Sequence, residues 1–368
     1  MSPKRSISRS AASVATPSLR YAGIDLGDKS SRLCVLNEAG EIVVEEILTT
    51  SPRIFEERFH SESMMRIGIE VGTHSRWTSR LLTRLGHEVI VADSRQLPLI
   101  THSDRKTDRR DARVLARLVR VDPPLLSPIA HRSEEHQQDL AVLRSRDQLV
   151  ALRSRLILFI RGTVKPTGNR LPTADSAYFT KRAASSLPDS LRPALVPLGE
   201  TIDHLSEQIK AYDQLLKQLA TTKYPETARL LQVPGVGPIT ALGFVLTIGD
   251  PHRFHRNRQV GAYFGLRPKQ RDSGDSQPQL SINKAGDKYL RSLLVQCSHH
   301  LLGPLGVDCE LRRWGLRLAG EGSSTAKRRA VVAVARKLSV LLISLWKSGE
   351  QYVAIRDSAG EAPAAVAS

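Results

Sequence analysis

The apolar residues of this chain change period partway along it, and that change limits the architectures open to it. From residue 21 to 48 the apolar runs are short and strand-like, at 21–27, 31–36 and 41–48. Asn37-Glu38-Ala39-Gly40 supplies the turn between the last two. Beyond them the period lengthens. Residues 54–60 read as a helix, 65–70 as a strand, 75–85 as a helix stopped by Gly86, and 89–92 as a strand. Residues 108–121 then carry Val114, Leu115, Leu118 and Val119 on one helical side and end before Asp122-Pro123-Pro124. Three hairpin-connected strands, then strand, helix, strand and helix, predict a mixed sheet with helices packed on it.

The texture changes twice more. Residues 133–161 hold Leu140, Leu143, Leu149, Leu152, Leu156 and Phe159, spaced by three, four or six, and 195–219 are again helical (Leu198, Ile202, Leu205, Ile209, Leu215). The prolines and glycines of 162–195 read as a loop. Two long helices joined in this way predict an antiparallel coiled-coil arm, or a dimerising one. After Tyr224, residues 228–231 form a short helix, followed by Val233-Pro234-Gly235-Val236-Gly237-Pro238 and an apolar helix at 239–248. That is a helix-hairpin-helix pattern, with Gly235 and Gly237 shaping a turn whose N–H groups can meet a phosphate. Helices from about Asp287 and at 327–346 complete a mainly α-helical C-terminal region. The expected division is a basic arm at 1–19, an α/β domain at 20–125, the helical arm at 130–222, the C-terminal domain at 223–350, and a tail at 351–368, both ends without fixed structure.

Charge narrows the function. The 368 residues include 54 Lys+Arg and 37 Asp+Glu, a net charge of +17. Polyanions are therefore the default partners, nucleic acid first among them. Three cysteines (Cys34, Cys297, Cys309) are too few for a disulfide framework and lack metal-ligand spacing, which points to a reducing cytosol. No apolar run reaches the ~18 residues of a membrane span. The first 18 residues have no apolar core of a secretory signal. His74, His131, His299 and His300 form no ligand spacing, and Trp77, Trp314 and Trp346 read as packing residues.

In so basic a chain the carboxylates stand out. Asp25 lies within an apolar run, Glu70 ends a strand, and Asp108 and Asp111 share one face of a helix start by their i, i+3 spacing. Taken singly, each has an ordinary reading: a turn Asp, a surface Glu, and acids that complement a helix dipole. Together, on the expected sheet, they can converge, and four carboxylates repel one another unless cations sit among them. Hard oxygen ligands suit Mg²⁺ or Mn²⁺, and such ions assist phosphodiester cleavage. Arg105, Lys106, Arg109, Arg110, Arg113 and Arg117 stand around the Asp pair and can neutralise a bound strand. Asp104 competes with Asp108 for the third position.

The ordered motifs carry a resemblance. The order of elements matches the ribonuclease-H-like nuclease fold. Gly23-Ile24-Asp25-Leu26-Gly27, Ile69-Glu70-Val71-Gly72 and the run from Lys106-Thr107-Asp108-Arg109-Arg110-Asp111 to Ala116 resemble the DEDD insertion-sequence transposases, relatives of the Piv-type DNA invertases. So do Val233-Pro234-Gly235-Val236-Gly237-Pro238, Tyr263-Phe264-Gly265-Leu266-Arg267-Pro268, Asp272-Ser273-Gly274, and the run from Ile282-Asn283-Lys284-Ala285-Gly286-Asp287 to Arg291. The set spans roughly residues 20–350. The resemblance implies a RuvC-like domain with Asp25, Glu70, Asp108 and Asp111 as its catalytic, metal-holding acids. It also implies a C-terminal transposase domain with Ser273 as nucleophile, and a structured guide RNA directing the enzyme to donor and target DNA.

A serine hydroxyl is a weak nucleophile and needs a base or a metal. Ser273 has no adjacent His, and its polar loop can reach across to another domain; Ser276 and Ser281 are alternatives, and a plain turn is the simpler reading. Arg267, Lys269, Arg271, Lys284, Lys288 and Arg291 flank the loop and are the expected nucleic-acid contacts. The expectation is a cytoplasmic, nucleoid-associated enzyme of a bacterial or archaeal host. It cuts and rejoins DNA as a dimer or tetramer. A RuvC-like junction nuclease using water needs the acids but not Ser273, and a non-catalytic binding protein needs neither.

Overall fold

The computed structural model describes residues 19–93, 107–271, 273, 276, 278 and 280–355. By internal contacts the chain divides into two units, 1–131 and 132–368. In the first, β1 (Arg20–Asp25), β2 (Ser30–Leu36), β3 (Ile42–Thr49), β4 (Met65–Glu70), β5 (Glu88–Ala92) and β6 (Pro128–Ile129) form one sheet in the order β3-β2-β1-β4-β5-β6. β1 lies inside it, antiparallel to β2 and parallel to β4. The mixed sheet expected from the sequence is present.

Strand alternation sorts the two faces. Ala22 and Ile24 of β1 and Met65, Ile67 and Ile69 of β4 share one core with Phe55, Phe59, Leu81 and Leu82. Those aromatic and aliphatic residues come from α1 (Pro52–Phe59) and α2 (Ser75–Arg84), which cover that face. The opposite face is covered by α3 (Asp108–Val121), whose Ala112, Leu115, Ala116 and Val119 are buried. α3 opens where Thr107 Oγ1 accepts from the Arg110 N–H, so its bounds are those read from the sequence.

The second unit begins with α4 (Glu134–Val164) and α6 (Arg192–Thr222), each 31 residues and so about 46 Å long. They run antiparallel: Asp139 meets Lys223, Arg146 meets Asp213, and Arg153 donates to Ser206. The connection at 162–195 is not the irregular loop expected. It contains α5 (Phe179–Ala183) and several 3₁₀ turns. Leu171, Phe179 and Ala183 pack there with Ile157, Ile160, Val164 and Ile202, because one buried aromatic ring is enough to seed a small core.

The rest of this unit is helical: α7 (Thr227–Leu230), α8 (Pro238–Ile248), α9 (Gln259–Tyr263), α10 (Lys288–Leu302), α11 (Glu310–Ala319) and α12 (Ser324–Ser348). α8 is buried from Thr240 to Ile248. Leu140, Leu143, Leu216 and Ala220 of the long helices belong to the same core as α8, α10 and α12. The boundary expected at 222/223 is therefore not a break in packing. Of the tail expected at 351–368, residues 351–355 are described and make main-chain contacts, and 356–368 lie outside the described residues, as do 1–18 of the expected basic arm. Tyr352 N–H donates to Gln232, and Ala354 C=O accepts from the Glu310 N–H.

Candidate active site

The first candidate site is built by two glycines. Gly23 of β1 pairs with Gly68 of β4, and both face α3. A Cβ on Gly23 would lie 2.1 Å from the Ala112 carbonyl oxygen and 2.4 Å from the Ala116 nitrogen; one on Gly68 would lie 2.4 Å from Val119 Cγ2. The helix backbone therefore rests directly on the two strands. Two residues further along each strand, on the same face, stand Asp25 and Glu70, one step past the Ile24–Ile69 pair. Both strands end there, side by side and parallel.

α3 brings its acids to that same end. Tyr21 packs in the cluster that holds Leu115 and Val119, while Gly23 meets Ala112 and Ala116. The next outward residue on this face, Asp25, thus lies toward the first turn of α3, which carries Asp108 and Asp111. Asp111 is 3% exposed and Asp108 is exposed. The donors are all carboxylate oxygens, which fit a hard divalent ion in kind. Among the described residues no three His, Cys, Asp or Glu side chains close on one point, so the set is a shared face rather than a finished cage. Asp25 and Asp111 are each already engaged with neighbours. Asp104, Arg105 and Lys106 lie outside the described residues.

The basic residues of α3 have a partner that sequence reasoning missed. Glu45 of β3 accepts from Arg109 (Nε, 3.0 Å) and from Arg113 (Nη2, 2.8 Å). Those two guanidinium groups hold its carboxyl down to about 2. Glu45 lies 64 and 68 residues from its partners, so no local pattern announces it. Arg110 and Arg117 are exposed beside them and line a groove of about 390 Å³ with Thr107, Arg113 and Val114. A missed local signal was the near-repeat itself: Gly23-Ile24-Asp25-Leu26-Gly27 and Gly68-Ile69-Glu70-Val71-Gly72 place a glycine two residues before each acid.

The second candidate site is an antiparallel hairpin in the other unit. Lys284 N–H donates to Gly265 C=O at 3.1 Å, Asn283 N–H to Arg267 C=O at 2.9 Å, and Lys269 N–H to Ser281 C=O at 3.0 Å. Farther out, Ser273 and Ser276 exchange main-chain bonds of 3.2 and 3.1 Å. Ser273 is exposed near the end of this hairpin. Arg267, Lys269, Arg271, Lys284 and Lys288 are exposed around it. Arg291 is not available in the same way, since its Nη1 donates to the carbonyls of Phe264 and Ala285. Gly235 has a left-handed φ of 82° and faces α10, where a Cβ would meet the Cys297 carbonyl at 3.1 Å. Gly237 opens α8 with free space around it.

Comparison with known proteins follows the same two segments. Residues 22–167 match the family model of the IS110-type DEDD domain, described as a transposase, and residues 227–303 match that of the transposase IS116/IS110/IS902 family. Among similar proteins, the transposase for insertion sequence element IS1111A of Coxiella burnetii is 26% identical over 344 residues, 91% of each chain. The transposase for IS1328 of Yersinia enterocolitica is 28% identical, over 77% of this chain and 84% of its own. The pilin gene-inverting protein of Moraxella bovis is 28% identical, over 67% of this chain and 68% of its own. With one match on the sheet unit that carries the acids and the other on the segment that carries the serine hairpin, this chain belongs to the IS110-type DEDD insertion-sequence transposases, enzymes that act on DNA.

Proposed function

We propose that this transposase cuts and rejoins the DNA of a mobile element through a covalent phosphoserine link, with Asp25, Glu70, Asp108 and Asp111 as its metal-holding acids and Ser273 as its nucleophile. The observation that supports the reading is the close seating of α3 on β1 and β4, which puts two strand-end acids on the sheet face that α3 covers, toward the helix turn bearing the other two. The DEDD domain implies a divalent metal in general; we take it to be Mg²⁺ or Mn²⁺. When bound, such an ion lowers the pKa of an attacking hydroxyl and offsets charge on a leaving oxygen.

The remaining work falls to the chain. Ser273 Oγ loses its proton and forms a bond to phosphorus, while the bond from phosphorus to the 3′ oxygen breaks and that oxygen gains a proton. The 5′ phosphate stays esterified to Ser273. Attack by a 3′ hydroxyl on that ester restores the phosphodiester and the free serine, so rejoining needs no ATP. Exposed Arg267, Lys269, Arg271, Lys284 and Lys288 surround the hairpin and suit the strand's phosphates. Arg110 serves the strand near the acids, and Arg109 and Arg113 add what positive charge their pairing with Glu45 leaves. The turn at Gly235 and Gly237 acts as a further main-chain phosphate contact, with a guide RNA directing donor and target choice. Assembly of two or more copies is supported by Leu152 and Phe159, 45% and 56% exposed at i, i+7 on α4.

The test is recombination of paired DNA substrates with Mg²⁺ by wild type, Ser273→Ala and Asp25→Ala proteins. Loss in both variants is expected. Full activity in either overturns the mechanism, and cutting without Ser273 favours a water nucleophile.

A further inference from the structure

We propose that Arg291 is a positioning residue for Ser273, acting by locking the base of the serine hairpin; this rests on the nucleophile reading above. Its Nη1 donates at 3.0 Å to Phe264 C=O, at the start of the outgoing leg, and at 3.0 Å to Ala285 C=O, at the end of the returning leg. Arg291 lies on α10, between the fully buried Leu290 and Leu294. One guanidinium therefore joins both legs to a helix fixed in the core. Both bonds come from one nitrogen, Nη1, whose two N–H groups are fixed in the guanidinium plane; the rotating ammonium of a lysine sets the two carbonyls less firmly.

A second, independent observation lies at the same place. Three left-handed residues cluster there: Gly265 (φ 69°), Lys284 (φ 58°) and Gly286 (φ 80°). Lys284 has no steric licence for that region, and strained main chain of this sort gathers at functional sites. The two glycines let the legs interlock. A Cβ at Gly265 would sit 2.0 Å from the Ala285 oxygen, and one at Gly286 would sit 1.9 Å from the Tyr263 oxygen. The neighbouring cap is tied down too, since Asp287 accepts from Leu290 N–H and from Arg144 of the long helix α4.

A hairpin magnifies small changes at its base. Eight residues separate Gly265 from Ser273, at most about 27 Å of extended chain. A rotation of roughly 5° at the base then moves the serine by about 2 Å, and a nucleophile displaced by 1 Å loses about a hundredfold in rate. Arg291 thus sets where Ser273 points without touching DNA.

The experiment compares full-length wild type, Arg291→Lys and Arg291→Met in single-turnover formation of the protein–DNA adduct with Mg²⁺, together with DNA affinity and thermal melting. The expected result is a 10- to 100-fold slower adduct step at saturating DNA in Arg291→Met, with partial recovery in Arg291→Lys. DNA affinity and melting stay near wild type. Wild-type adduct rates in both variants overturn the proposal, as does a parallel loss of folding or of DNA affinity, which makes Arg291 a fold or contact residue. A wild-type enzyme that cuts without an adduct on Ser273 overturns the nucleophile reading instead, so the two failures are distinct.

Discussion

Gly23→Ala puts a single methyl group between β1 and α3. The new Cβ would lie 2.1 Å from the Ala112 oxygen and 2.4 Å from the Ala116 nitrogen, where ordinary contact begins at 3.4 Å. The shortfall is about 1.3 Å, and both obstacles are main chain, so neither can rotate away. β1 is bonded to strands on both sides, which leaves α3 as the part that lifts. Overpacking of this kind costs about 1–3 kcal/mol, and clashes with backbone put it near the upper value. On the proposed reading the functional loss is of similar size. If the four acids act together as proposed, moving the first turn of α3 by about 1 Å away from Asp25 and Glu70 slows strand cleavage by roughly a hundredfold. The assay is urea unfolding of the first unit together with cleavage rate at saturating DNA and Mg²⁺. Gly72→Ala, with nothing within 4 Å of its Cβ, should change stability by less than about 0.5 kcal/mol. A Gly23→Ala protein that unfolds and cuts like wild type refutes the close seating of α3 on the sheet.

Three further outcomes follow from the same geometry. Glu45 has a folded pKa of about 2, below its ordinary value near 4.5. Its clamp therefore stabilises the fold fully above about pH 4.5 and loses that contribution as pH falls toward 2. Urea titrations of wild type and Glu45→Gln should differ at pH 7 and converge at acid pH; a constant gap contradicts this. Lys284→Gly relieves a left-handed side chain and should raise stability by up to about 1 kcal/mol. It also removes an exposed positive charge beside the serine hairpin; on the proposed reading that charge meets a phosphate, so DNA affinity should fall and its slope against log salt should shrink by about 1. Gly162→Ala, in the last turn of α4 with open space around it, should stabilise the arm by about 0.5–1 kcal/mol in thermal melting. No change, or a loss, shows that the position is not an unstrained helical one.

The readable parts of this fold are those where local chemistry and tertiary role coincide. α3 begins and ends where Thr107 and Asp122-Pro123 say it should, and β4 ends at Glu70 as its apolar run does. Asp25 and Glu70 fall on one face because strand alternation is a local rule. What stayed hidden depends on contacts distant in sequence. Arg109, Arg113 and Arg291 look like solvent-facing cations in the sequence. In the fold the first two hold Glu45 and the third holds two carbonyls. The 162–195 connection reads as loop because its prolines and glycines dominate. Burial of Phe179 against α4 and α6 is decided only once those helices pair. The continuity of the long helices with the α8 core was hidden too, since Leu143 and Gly243 meet across about a hundred residues.

The central claim is that one chain supplies both a carboxylate face and a serine that becomes bonded to DNA. Its most direct test is to quench a cleavage reaction, digest the protein and find the residue that carries nucleotide by mass spectrometry. The prediction is a 5′ phosphate ester on Ser273, present in wild type with Mg²⁺ and absent in Asp25→Asn and Ser273→Ala. Cut DNA with no adduct, or an adduct on Ser276 or Ser281, contradicts it.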